Sequence, residues 1–277
     1  MPCEQRNVSA DQATQKRNET VLCFLHPVGT SGQIWGSVVS RLGDSYRVMT
    51  LDLPGHGETP LIKRPFRLED AAEWVSEQLA DFHGVVLIGH SIGGMIAQIA
   101  ASSNPAWLKG LVLVSTMSKP PSEAARKAIA DRATMTREVG MEGMLRPTLE
   151  RWFTGRSLDN RPDIIELTSR LLLANDPEIH AEAWEAIAGL NTVDLLPKIQ
   201  SPTLVVVGDE DISTPPVLSE AIVKQCTRAW MEVIQGAGHA LPLEATDEFV
   251  GLLRGFVEKV DGQELDKKVF GESQTQS

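Results

Sequence analysis

Little in this chain can act as a covalent or metal staple. Cysteine occurs at only three places, Cys3, Cys23 and Cys226. The odd number, the wide spacing and the lack of any C-x-x-C pair argue against a disulfide framework or a zinc site, and point to a reducing compartment, read here as the cytoplasm. Positive charge is also scarce: 26 Lys and Arg stand against 37 Asp and Glu, a net charge of −11. A molecule of that sign repels phosphate backbones and anionic lipid headgroups, so neither nucleic acid nor a membrane is an expected partner, and an anionic substrate would have to meet a local basic group. No apolar run approaches the ~18 residues of a membrane span. Residues 1–20 contain no apolar stretch of the secretory-signal kind, and no internal repeat is visible.

What is present is an ordinary globular composition, 42% hydrophobic and 23% charged over 277 residues. A chain of this size buries roughly 70–75% of its extended surface, enough for one large core without staples. Residues 1–20 and 261–277 are polar and read as flexible tails. Between them, short apolar runs alternate with amphipathic stretches. VLCFLH (21–26), YRVMTLDL (46–53), VVLIGH (85–90), LVLVST (111–116), TLVVVG (203–208) and WMEVI (230–234) read as strands buried on both faces, as in a parallel sheet. Residues 68–82, 93–103, 217–226 and 248–260 have helical spacing and length. The alternation predicts an α/β fold with a mostly parallel sheet flanked by helices. It breaks between residues 119 and 191, where EAARKAIADRATMTREVG and EIHAEAWEAIAGL are helical in period. Too long for a loop, this segment reads as a helical lid inserted into a core made of residues 21–118 and 192–260.

Gly89-His90-Ser91-Ile92-Gly93 fits G-x-S-x-G between a strand and a helix, the setting in which this pattern makes a nucleophile elbow. Ser91 is the expected nucleophile. The N–H of Ile92 opens the helix, has no intrahelical partner, and is an expected oxyanion donor. A serine needs a base. His239, in the loop GAGHALPLE after the last strand, stands where a Ser…Asp…His chain order puts it. The base needs an orienting carboxylate, and VVVGDEDISTPP offers Asp209, Glu210 and Asp211 at a strand's C-terminal end. Three adjacent acids cannot all point inward, and Asp211 is assigned, with Asp209 and Glu210 as alternatives. The second oxyanion donor should come from the loop after the first strand. Pro27 has no N–H to give, so Val28 is chosen. His26 either contacts the substrate or braces this loop. His90 reads as a supporting core residue, His56 as structural, and His83 and His180 as solvated.

Jointly, the elbow GHSIGG, the loop DLPGHG, the acid loop GDEDISTPP and the GAGH loop resemble the α/β-hydrolase superfamily over residues 21–260. Within it, EVGMEGMLRPTLERWFTG and RLLLANDPEIHAEAWEAI are similar to the 3-oxoadipate enol-lactonases. The chain departs from the superfamily in reading HPVG at the oxyanion loop and Thr59 after GHG. The resemblance implies a lid tryptophan, Trp152, that lines the pocket or anchors the lid, and it makes Arg146 and Arg151 candidates for a substrate carboxylate. It implies hydrolysis of a small-molecule carboxylic ester or lactone through an acyl-enzyme, with no metal or organic cofactor. A C–C bond hydrolase of a diketone, a cofactor-free perhydrolase, or a weakly catalytic ligand receptor on the same fold would share these motifs.

Overall fold

A computed structural model of the chain describes residues 20–262. Six strands form one sheet, parallel throughout: β1 (Val21–Leu25), β2 (Arg47–Leu51), β3 (Val85–His90), β4 (Leu108–Val114), β5 (Thr203–Gly208) and β6 (Ala229–Ile234). Their spatial order is β2-β1-β3-β4-β5-β6. The chain leaves β1 for the edge at β2 and returns on β1's other side as β3. The carboxyl ends of β1 and β3 therefore flank the point where strand order reverses, the place where open α/β sheets assemble sites.

The central strands β1, β3 and β5 are buried along their whole length. Burial on both faces fails for β2 and β6, which are edge strands and partly exposed. β4 begins three residues before the sequence expectation, at Leu108. Lys109 and Gly110 disguise its start. A side chain at Gly110 would meet the Phe256 ring at 2.8 Å, so glycine here serves helix packing and not a turn.

Among the described residues, ten α-helices surround and cap the sheet. They are α1 (Gly36–Leu42), α2 (Leu68–Leu79), α3 (Ile92–Ser102), α4 (Glu123–Trp152), α5 (Gly155–Asn160), α6 (Pro162–Leu173), α7 (Pro177–Ala188), α8 (Pro216–Gln225), α9 (Leu241–Glu244) and α10 (Thr246–Gly262). The short α1 carried no sequence signal. α4 starts on a Ser122 cap and is kinked at Gly140, whose φ is +65°. Helices α4 to α7 occupy the interval between β4 and β5, and α4 packs along α7. The expected tails lie outside the described residues except for Thr20, Asp261 and Gly262. These three belong to the fold: Thr20 Oγ1 donates to Asp261 at 2.8 Å, and Lys109 pairs with the same carboxylate. Among the described residues no helix is long and apolar enough to cross a membrane.

Candidate active site

Ser91 ends β3 and opens α3 with φ +54° and ψ −115°, a conformation that non-glycine residues seldom adopt. The turn is held because its amide donates to Val114 O (2.9 Å) and its carbonyl accepts from Thr116 Oγ1 (2.7 Å). Close approach explains the flanking glycines. A Cβ on Gly89 would sit 2.4 Å from Gly93 O, and one on Gly93 would sit 2.6 Å from Leu25 O. Either would push the helix off the sheet.

Asp211 follows β5 and is almost completely buried. Its Oδ1 accepts the Ser213 and Thr214 amides at 2.8 and 2.9 Å, and its Oδ2 accepts the Thr214 hydroxyl at 2.8 Å. His239 Nδ1 lies 3.0 Å from Oδ2. Burial alone would raise the pKa of this carboxyl. The charge of His239, together with hydrogen bonds from His239 and Thr214, outweighs burial and holds the group well below the usual carboxylate range. Asp209 and Glu210 are exposed, and Asp209 turns away to accept the Gly236 amide at 2.6 Å. Asp211 is thus the acid that meets His239.

Ser91 and His239 line one cavity of about 310 Å³, together with Trp152, Trp184, Met117, Ile187 and Arg132. A second cavity of about 260 Å³, bounded by Phe66 and Thr192, contains neither Ser91 nor His239. Trp152 is buried, with its ring centroid 5.7 Å from that of His239. The sequence offered no sign of Trp184, Arg132 or Thr214. Thr214 differs from any loop threonine only by the hydroxyl it gives Asp211.

The loop after β1 is fastened from both sides. His26 Nδ1 donates to Pro27 O (2.9 Å), while its Nε2 accepts the Leu53 amide (2.9 Å), an arrangement that fixes the neutral tautomer. Burial, then the neighbouring His56, lowers its pKa to about 3. His26 is fully buried and is not among the residues that line the cavity, and its two ring bonds brace this loop. Val28 and Ile92 are buried, and among the described residues neither amide has an acceptor. His90 Nε2 donates to the His239 carbonyl at 2.8 Å, so it props the loop that bears His239.

One expectation needs correction, and two candidate arginines lie outside the cavity lining. His180 is buried, not solvated: its Nε2 accepts from Trp184 Nε1 at 2.9 Å, and its ring packs where a side chain on Gly29 would be. Burial, then His56 and Arg151, depresses its pKa to about 3. Arg146 stands in solvent, paired with Glu150 at 2.7 Å and away from the cavity, because its position on α4 faces outward. Arg151 is half-buried against Trp184 and does not itself line the cavity.

Residues 24–252 match the family model described as the alpha/beta hydrolase family. Among curated proteins, the chain is 27% identical over 242 residues to a pimeloyl-[acyl-carrier protein] methyl ester esterase of Neisseria meningitidis serogroup B, covering 85% of this chain and 92% of that one. It is 26% identical over 247 residues to 3-oxoadipate enol-lactonase 2 of Acinetobacter baylyi, covering 88% and 91%. Among solved structures, it superposes on a thermophilic esterase from Thermogutta terrifontis, malate bound, with a TM-score of 0.78 and 29% identity, covering 87% of this chain and 90% of that one. With its sheet order, its strained elbow serine and this match over most of its length, the chain belongs to the alpha/beta hydrolase family.

Proposed function

We propose that the chain hydrolyses a small carboxylic ester or lactone through an acyl-enzyme on Ser91. The observation that carries the reading is the buried Asp211–His239 pair sharing a cavity with a serine at φ +54°. With Nδ1–H given to Asp211, the His239 Nε2 is free to accept the Ser91 proton as Oγ attacks the acyl carbon. The tetrahedral oxyanion is held by the Val28 and Ile92 amides, buried donors with no other acceptor among the described residues. Each such donor is typically worth about 3–4 kcal/mol of barrier. His239 then gives its proton to the departing alkoxide. It next takes one from water, whose oxygen attacks the acyl carbon, and passes that proton to Ser91 Oγ as the Oγ–acyl bond breaks and the acid is freed. For a lactone, the leaving oxygen and the acid stay in one product.

Residues 119–191 act in this reading as a cap over a core of residues 21–118 and 192–260. Trp152 supplies an apolar wall to the cavity that holds Ser91 and His239. The esterases and the enol-lactonase among the relatives support the ester or lactone class. The two described cysteines are free and buried, in keeping with a cytoplasmic setting. The test is labelling with a fluorophosphonate, followed by a panel of esters and lactones, for the wild type and Ser91→Ala. The wild type should label and turn over, and the variant should do neither. A Ser91→Ala protein that still labels and hydrolyses would remove Ser91 as nucleophile.

A further inference from the structure

Where an amide N–H points depends on the planar bond that carries it and on φ and ψ of the residue before it. For Val28 all three are constrained. The peptide that joins it to Pro27 is trans, so the N–H points opposite to the Pro27 carbonyl. The Pro27 ring holds its own φ at about −65°. Only ψ of Pro27 is left, and that torsion swings the carbonyl. A carbonyl oxygen has two lone pairs. This one accepts from two side chains, His26 Nδ1 at 2.9 Å and Thr30 Oγ1 at 2.8 Å.

The two donors are anchored differently. The Leu53 amide on Nε2 sets the His26 ring from the loop after β2. Thr30 is buried in the same loop as Pro27, and its hydroxyl lies 3.4 Å from His26 Nδ1. Carbonyl, imidazole and hydroxyl therefore form one closed triangle. On the other side of Val28, the Gly29 carbonyl accepts from Asn175 Nδ2 at 2.7 Å. The loop is held before and after Val28, while the Val28 amide has no acceptor among the described residues. A buried hydroxyl can be satisfied by any nearby acceptor. Given to the Pro27 carbonyl, it also acts on the amide at the far end of the same rigid plane.

We propose that Thr30 is a positioning residue of the oxyanion hole: its hydroxyl, with His26, locks ψ of Pro27 and so aims the Val28 N–H at the oxygen that gains charge when Ser91 attacks. This role rests on the hydrolytic reading, in which Val28 is a donor. The clamp on the Pro27 carbonyl rests on the hydrogen bonds alone. Thr30 does not line the cavity and acts through one peptide plane. A reacting group displaced by about 1 Å can lose about 100-fold in rate, and deleting an oxyanion donor loses about 10²–10³-fold. With His26 still in place, removing the hydroxyl releases only part of that, and the expected loss is about tenfold.

The test compares Thr30→Val, which keeps the side chain's shape and loses the hydroxyl, with Thr30→Ser, which keeps the hydroxyl. One readout is steady-state hydrolysis of p-nitrophenyl butyrate. Acylation and deacylation both pass through the oxyanion, so kcat should fall about tenfold in Thr30→Val whichever step is slower, with KM within about twofold. The other readout is inhibition by phenethyl trifluoromethyl ketone. Ser91 Oγ adds to its carbonyl carbon, the Ser91 proton passes to His239, and the carbonyl oxygen becomes an oxyanion. Phenethyl methyl ketone is the control that stays a free ketone. Thr30→Val should bind the fluorinated ketone about tenfold more weakly and the control equally well, and Thr30→Ser should match the wild type with both. A folded Thr30→Val protein with wild-type kcat and wild-type inhibition overturns the positioning role and leaves the hydrolase reading standing. Equal weakening of both ketones does the same, because it marks a damaged pocket and not a misaimed donor. A Thr30→Ser protein that loses as much as Thr30→Val assigns the effect to the methyl group and also overturns the role. A wild type that neither hydrolyses the ester nor binds the fluorinated ketone overturns the hydrolase reading, and this role with it. Should Thr30→Val not fold, Thr30→Ala against Thr30→Ser gives the same comparison.

Discussion

Asp211→Asn is the sharpest probe of the site, because its effect can be worked out atom by atom. Asp211 Oδ1 accepts two backbone amides and Oδ2 accepts the Thr214 hydroxyl and faces His239 Nδ1. An asparagine has one oxygen and one NH2 to fill these places. Two fixed N–H groups can be satisfied only by the oxygen, so the NH2 must occupy the Oδ2 position. It then donates toward His239 Nδ1 and drives the imidazole proton to Nε2. That nitrogen can no longer accept the Ser91 proton. The fold keeps its two amide bonds, and the Thr214 hydroxyl can rotate to accept from the new NH2. The expected loss is in kcat, about 10⁴-fold, equivalent to roughly 5.4 kcal/mol of barrier, with KM little changed. The assay is steady-state hydrolysis of a chromogenic ester by wild type, Asp211→Asn and Asp209→Asn, with thermal melts to establish that all three fold. A folded Asp211→Asn protein within tenfold of wild type would refute the tautomer argument. An Asp209→Asn protein with the larger loss would reassign the acid, against the exposure of that residue and its bond to Gly236.

Two further outcomes follow from the packing. Gly93→Ala places a methyl 2.6 Å from Leu25 O, a backbone atom that cannot swing aside, so urea unfolding should show a loss of about 1–3 kcal/mol or more, together with lower activity. An unchanged midpoint would mean that helix α3 can slide off the sheet at no cost. Acid should weaken the fold well above the carboxylate range. Burial depresses the pKa of His26, His90 and His180 to about 3 and of His56 to about 4. Below the unfolded value of 6.5 the unfolded chain takes up protons that the native state refuses, so stability falls as pH falls, by up to about 2 kcal/mol for each histidine at pH 5. Melting temperature should drop steadily between about pH 6.5 and 5, and a flat profile there would contradict the buried neutral histidines.

The elbow and its partners were legible because backbone geometry demanded particular residues. Gly89 and Gly93 are needed where strand, turn and helix nearly touch, and the fully buried strands are written as unbroken apolar runs. The acid loop can be located, but sequence leaves Asp209 and Glu210 open beside the preferred Asp211, and the turn donors at Ser213 and Thr214 explain why Asp211 faces inward. What stayed hidden depends on partners distant in the chain. His180 looks solvated at a helix terminus and is buried only because Gly29 leaves room for its ring. Gly110 looks like a breaker until Phe256 fills the space above it. Arg132 sits in a helix whose polar residues mask its inward face, and only the position of Trp184 reveals that face.

Glu244 makes two parts of the molecule one mechanical piece. One of its oxygens takes the Thr154 amide and hydroxyl at 2.9 and 2.8 Å, the other takes the Gly238 amide at 2.6 Å, and Ala240 N reaches Trp152 O beside them at 2.9 Å. The segment that bears Trp152 is therefore latched to the segment that bears His239. Lifting the indole would drag the imidazole with it. Any opening that leaves the imidazole in place would have to bend elsewhere in the cap, and helix α4 has a break at Gly140.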